Sequence, residues 1–427
     1  MTLLAAILLV VLMFSGAPLF AVILGAALLG FYTSDIDLSV IAIEIYNIAS
    51  TPLLSSLPLF TFAGYLLSES NTSQRMLRLI RAVFGWMPDG LAIVSVIACA
   101  IFTALTGASG VTIIALGALL LPALIKQGYR ERFSLGLITS SGSMGLLLPP
   151  SIPLILYGII VQQVGVGATF EFEELILSGV LPGLLMILVM AGYILWVHRD
   201  EPKQRSKFTW SELYMAIRES IWEIPLPIFL LAGIFSGVLA VSEVAAIAVL
   251  YVLIIEVFIY REIKFSKLPD IITQSMIMVG GIILILGCSM AFTSFLVDAQ
   301  VPIILFDWIS NHIESKWTFL LILNLFLLFL GAILDIYAAL IIVVPLILPV
   351  AISFGIHPIH LGIIFLANMQ IGYFTPPVGM NLFIASYRFN RPVNELYITC
   401  LPFMFVLIGV VFLITYWPAL SLFFVKH

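Results

Sequence analysis

Four stretches of this chain set polar or helix-breaking residues inside apolar runs: LTGASGVT (105–112), GLLLPPSIPLILYG (145–158), GAILDIYAALIIVVPLILP (331–349) and GYFTPPVGMNLF (372–383). Proline has no N–H to donate, so Pro149-Pro150 and Pro376-Pro377 leave carbonyls without helical partners at points where no water replaces them. Freed carbonyls and the ends of half-helices can hold a cation or a substrate anion. Asp335 is an ionisable group in an apolar run, and such a group is costly in lipid unless it is paired or hydrated. A buried salt bridge or a helix cap would also account for it. Glu243 follows Ser242 at a helix start, where a dipole partner and a functional carboxylate look alike. Thr106, Ser109, Ser141 and Ser143 read equally as ligands near a loop tip or as small residues that let helices approach.

The chain that must position these groups is 62% hydrophobic and 10% charged, with a mean hydropathy of +1.20 over 427 residues. Soluble domains carry about 25% charged residues, so this is an all-α polytopic membrane protein whose work is done within the bilayer. Cys99, Cys288 and Cys400 lie in separate apolar segments, which argues against a disulfide framework or a cysteine zinc site. No histidine cluster, catalytic triad or nucleotide-binding motif is present. The expectation is a protein that is not an enzyme, has no cofactor and does not bind nucleic acid.

A crossing helix needs about 20 apolar residues, and Lys and Arg mark cytoplasmic connectors. The first half, 1–200, reads as spans at 3–31 and 40–67, a segment at 91–126, a broken helix at 133–164 and a span at 175–197. The 3–31 stretch reads as a retained span with a cytoplasmic N-terminus. Arg75, Arg78 and Arg81 precede the 91–126 segment and Lys126, Arg130 and Arg132 follow it, so both of its ends face the cytoplasm. It must turn back at 106–110, as a re-entrant hairpin with its tip inside the membrane. Those three arginines also recur at helical spacing among apolar residues, a pattern that suits a surface helix bracing a moving part or a plain charged connector.

After a cytoplasmic connector at 201–222, the second half (223–427) carries spans at 225–239, 244–260 and 271–297, a hairpin at 319–353, a broken helix at 361–387 and a last span at 398–424. It reproduces the first half: a shift of 227 aligns Pro122 with Pro349, Gly128 with Gly355, Gly145 with Gly372, and Pro149-Pro150 with Pro376-Pro377. The charge rule brings the two copies in from opposite faces, which leaves the C-terminus periplasmic. Inverted repeats with two re-entrant hairpins and two broken helices form an architecture of secondary transporters.

With VSEVAAIAV (241–249) added, these motifs resemble the large membrane subunit of TRAP (tripartite ATP-independent periplasmic) transporters, and the likeness is spread over most of the chain. The resemblance implies an elevator-type, sodium-driven importer of organic acid anions in the bacterial inner membrane, related to the ion transporter superfamily. Its implied partners are a small membrane subunit (DctQ-like) and a soluble periplasmic binding protein (DctP-like). Carried over by position, one sodium site would use Thr106, Gly107, Ala108 and Ser109 with Gly145, Leu148 and Pro150; the other would use Gly331, Asp335, Gly372, Thr375 and Val378. Ser143, Ser151, Glu243, Asp335, Pro376 and Asn381 are the implied substrate or coupling positions. Ala108 departs from the serine that the resemblance implies for many family members, and 287–302 holds no arginine to clamp a sialic-acid-like carboxylate, which turns the expectation towards a smaller anion. A stand-alone sodium/dicarboxylate-type symporter without a binding protein is the alternative.

Overall fold

In a medium without water each backbone group must find its partner inside the chain, and a helix supplies that partner four residues away. The computed structural model describes residues 8–9, 11–12, 17–165, 170–199, 208–235, 239–313 and 315–425, and all regular elements among them are helical. Among the described residues, seven helices are long and apolar enough to cross a membrane, or nine when each bent pair counts as one span. The opening of the expected first span and residues 201–207 of the connector lie outside the described residues.

The chain begins with α1 (Leu19–Thr33), α2 (Ser39–Ala49) and α3 (Ser56–Glu69). The single crossing expected at 40–67 is instead two segments meeting at 63°. Pro52 cannot donate to the preceding turn and holds Thr51 extended, which ends α2. Next, α4 (Thr72–Phe84) carries the arginine series. The Arg75 guanidinium meets the carboxylates of Glu223, Glu256 and Glu262 and lies 3.9 Å from the centre of the Tyr260 ring. This largely buried cluster ties α4 to the membrane helix α13 (Val241–Leu253) and the π-helical turn Ile254–Ile259 that continues it.

The first hairpin is α5 (Gly90–Thr106) and α6 (Ser109–Lys126). Its turn is only Gly107-Ala108, tighter than the five residues expected, because Thr106 completes one arm and Ser109 starts the other. Gly107 adopts φ +69°, and a Cβ there would lie 2.4 Å from Ile152 Cδ1. The first broken helix is α7 (Glu131–Ser141), a 3₁₀ turn at Met144–Leu147 and α8 (Ile152–Val164), with a 42° bend at the prolines. Then come α9 (Phe172–Ser178), α10 (Val180–Val197), α11 (Trp210–Glu219), α12 (Pro225–Phe235), α13, α14 (Leu268–Asp298) and α15 (Val301–His312). α15 occupies the stretch between the expected 271–297 span and the second hairpin, where no element was expected. The second hairpin is α16 (Lys316–Ile333) and α17 (Ile336–Ser353), and the second broken helix is α18 (Pro358–Gly372) and α19 (Met380–Phe389). The last span, α20 (Val393–Tyr416), stops before Pro418, short of the expected residue 424.

The shift of 227 carries α5, α6, α7 and α8 onto α16, α17, α18 and α19 within a few residues. The two copies exchange partners: α6 packs on α19, and its equivalent α17 packs on α8, the equivalent of α19. Both Pro149-Pro150 and Pro376-Pro377 are cis. Ser143 Oγ donates to the Gln370 carbonyl at 2.8 Å, a contact between two positions that the repeat makes equivalent. The pseudo-symmetry axis therefore passes between the two broken helices.

Candidate functional site

Each broken helix approaches a hairpin arm through a glycine, and both approaches are backbone on backbone. A Cβ at Gly145 would lie 2.1 Å from the Ala100 carbonyl oxygen and 2.5 Å from the Ala104 nitrogen; at Gly372 it would lie 2.5 Å from Cα and C of Gly331. The two crossings are equivalent under the repeat, since Ala104 and Gly331 occupy matching positions. Gly64 of α3 likewise lies against Thr106, where a Cβ would be 2.7 Å from the carbonyl oxygen. These approaches seat the two tips against the middle of the protein.

The tips share one cavity of about 250 Å³, lined by Gly107, Ala108 and Ser109 from the first hairpin and Asp335 and Tyr337 from the second, with Tyr373 between them. Asp335 caps α17: one carboxylate oxygen accepts from the Tyr337 N–H at 3.0 Å and the other from the Tyr373 hydroxyl at 2.8 Å. The Tyr373 hydroxyl also accepts the Ile336 N–H at 2.9 Å. A link between the repeats follows, because the Tyr337 hydroxyl donates to the Gly107 carbonyl at 3.0 Å. Ser109 Oγ donates to Asn381 Oδ1 at 2.8 Å, which joins the first tip to the start of α19. The equivalents of Asp335, Tyr337 and Tyr373 in the first half are Ala108, Gly110 and Leu146, so the second half supplies the acidic and phenolic groups of the cavity.

The other expected positions divide. Thr106 Oγ1 donates to the Phe102 carbonyl at 2.8 Å, within its own helix. Gly145 and Pro150 are buried, whereas Leu148 is half-buried over Gly183. Ser151 is buried, donates to the Leu146 carbonyl and caps α8. Gly331 and Gly372 form the crossing described above, Thr375 Oγ1 donates to the Ile371 carbonyl at 2.8 Å, Pro376 is half-buried and Val378 is 40% exposed. Glu243 is not brought to the tips: it is exposed and accepts the Ala240 N–H at 2.9 Å, which is the capping role. Its position at N3 of α13 places the carboxylate over the helix start.

Several contributors were passed over in the sequence. Tyr337 and Tyr373 lie within the motif stretches, but phenols in an apolar run carry no local signal of a role. Thr103 and Thr112 face each other at 2.6 Å across the first hairpin, and Thr103 Oγ1 donates to the Gly142 carbonyl at 2.7 Å. The neighbouring Ser141 Oγ is fully buried and has no hydrogen-bond partner among the described residues. Gly142 lies against the Ser109 carbonyl, so this hydroxyl group is close to the first tip.

Paired hairpins, broken helices and a shared, mostly apolar cavity with a few polar groups at the tips, inside an apolar helical body, define a membrane transport protein. The chain belongs to the family described as tripartite ATP-independent periplasmic transporter, DctM component, whose pattern matches residues 6–420. It is 30% identical to the C4-dicarboxylate TRAP transporter large permease protein DctM of Rhodobacter capsulatus, over 97% of this chain and 96% of the relative. It is 31% identical to the isethionate TRAP transporter permease protein DctMQ of Oleidesulfovibrio alaskensis, over 88% of this chain and 59% of the relative. Its fold is also like that of the Alcanivorax borkumensis YdaH transporter, with a TM-score of 0.61, 14% identity, and coverage of 89% of this chain and 87% of the other. The chain is therefore a multi-pass TRAP large permease subunit, and the relatives it matches are transporter permeases.

Proposed function

We propose that this permease imports a small organic acid anion, a carboxylate or a sulfonate, across the bacterial inner membrane against its gradient, driven by sodium. The observation that carries this reading is the meeting of both hairpin tips at one cavity of about 250 Å³, linked across the repeats by the Tyr337 hydroxyl on the Gly107 carbonyl. Sodium is a hard cation that takes oxygen ligands. The first tip offers Thr103, Thr112 and the unpartnered Ser141 hydroxyl beside freed carbonyls, and the second offers Asp335 at a helix start. Sodium bound at these tips would preorganise them for the anion, so that each ligand strengthens the other's binding.

Transport would proceed as an elevator: hairpins and broken helices move as one body past the remaining helices, with the glycine crossings keeping the body rigid. A periplasmic binding protein would deliver the anion, and a small membrane subunit would complete the permease. The isethionate relative's longer chain and its DctMQ name support the second partner. The test is uptake into vesicles that hold all subunits, with and without an inward sodium gradient. Accumulation that requires both sodium and the binding protein supports the reading. Sodium-independent accumulation refutes the coupling, and sodium-driven uptake of free substrate by this chain alone would establish the stand-alone symporter instead.

A further inference from the structure

A second cavity, of about 610 Å³, lies away from the hairpin tips. Its walls come from three parts of the chain: Arg78 and Arg81 of α4 with Trp86 just beyond it, Leu119 of the first hairpin, and Phe208 with Glu212 at the start of α11. The helix that supplies the arginines is amphipathic and packs between the membrane helix α3 and the first hairpin, and a helix with this pattern suits the membrane surface. Trp86 is 52% exposed and Phe208 40%, and exposed aromatics of this kind mark the membrane interface.

The charges are unequally committed. Arg78 donates from Nε and Nη2 to both oxygens of Glu212, at 2.7 and 3.1 Å, and from Nη1 to Glu219. That guanidinium is spent, and so is the carboxylate it grips. The Arg81 side chain is exposed and donates no hydrogen bond to a described residue; it faces Glu212 through charge alone, and that carboxylate is already held on both oxygens by Arg78. A guanidinium whose donors are not taken by hydrogen bonds, in a pocket with an aromatic and aliphatic rim, matches a phosphate ester with acyl chains attached, since the phosphate takes the donors and the first methylenes cover the rim.

We propose that this cavity binds the headgroup of an anionic phospholipid, with its phosphate on Arg81. The lipid would sit between the connector helices and the first hairpin, touching Leu119 on one side and Trp86 and Phe208 on the other. The inference needs only that the chain is embedded in a membrane; it stands or falls independently of sodium coupling.

Brominated acyl chains quench nearby tryptophan, so the full-length protein in mixed micelles reports the site through Trp86. The signal is the difference between the protein and its Trp86→Phe variant. Brominated phosphatidylglycerol should quench this component at about fivefold lower mole fraction than brominated phosphatidylcholine, the worth of one basic residue at a membrane surface. Arg81→Gln should abolish that preference. Glu212→Gln should enlarge it, because it frees an arm of Arg78; a misfolded variant would not gain affinity. Equal quenching by the two lipids, a preference that survives Arg81→Gln, or no difference signal from Trp86 would each overturn the proposal. Displacement of the lipid by inorganic phosphate at matched ionic strength would assign the cavity to free phosphate and overturn it as well.

Discussion

Gly372→Ala tests whether the hairpin seats by backbone contact. The added Cβ would lie 2.5 Å from Cα and C of Gly331 and 2.9 Å from its carbonyl oxygen, about 1 Å short of an ordinary contact at 3.4–4 Å. Both obstacles are main chain, so no rotamer change relieves them, and α16 must move away from α18 by about that distance. Overpacking of this kind costs about 1–3 kcal/mol. If the seated tip is the binding-competent state, its equilibrium against the unseated state shifts about thirtyfold at the middle of that range. The assay is uptake by vesicles reconstituted with the full transporter at matched incorporation, with thermal unfolding of the detergent-purified subunit as the second reading. Gly280→Ala serves as control, because a Cβ there meets nothing within 4 Å. Wild-type uptake and unchanged unfolding in Gly372→Ala would refute the argument that this crossing sets the tip, and would weaken the same argument for Gly145.

Three further outcomes follow from the same geometry. Asp335→Asn keeps a side chain that caps helices about as well as aspartate, so insertion should be normal while uptake is lost; unchanged uptake would remove the carboxylate from the site. Tyr337→Phe deletes the bond to the Gly107 carbonyl, worth about 1 kcal/mol, and should raise the sodium concentration for half-maximal uptake about fivefold; an unaltered sodium dependence would show that the two tips are not coupled through it. Arg75→Gln leaves Glu223 and Glu256 buried without their cation and should destabilise the protein by about 3–5 kcal/mol, measured by chemical unfolding at several pH values. Burial already pushes the Glu223 carboxyl above its ordinary value of 4.5, with Arg75 pulling it back, so the variant's Glu223 keeps its proton to a higher pH when folded than when unfolded. Its stability should therefore hold below about that ordinary value and decline as pH rises through the raised one; a variant that gains stability with rising pH would contradict this.

The chain's own pattern of residues was enough for its class, its two-copy organisation and the places where helices break, because each of these is a local property. Apolar length, the period of 227, a proline without an N–H and a glycine at positive φ act within a few residues of themselves. The same locality limits the pattern elsewhere. Pro52 bends the second crossing although the apolar run continues past it, and at Glu243 a capping and a functional carboxylate look alike in the sequence until the fold places the residue away from the tips. Which hydroxyls meet which carbonyls was decided by tertiary structure alone. Tyr337 and Gly107 are 230 residues apart and Ser109 and Asn381 are 272 apart, and nothing in either sequence neighbourhood specifies the other. The tips acquire their chemistry when glycine crossings bring two distant backbones into contact, so the cavity belongs to the packing of the two halves and to neither half by itself.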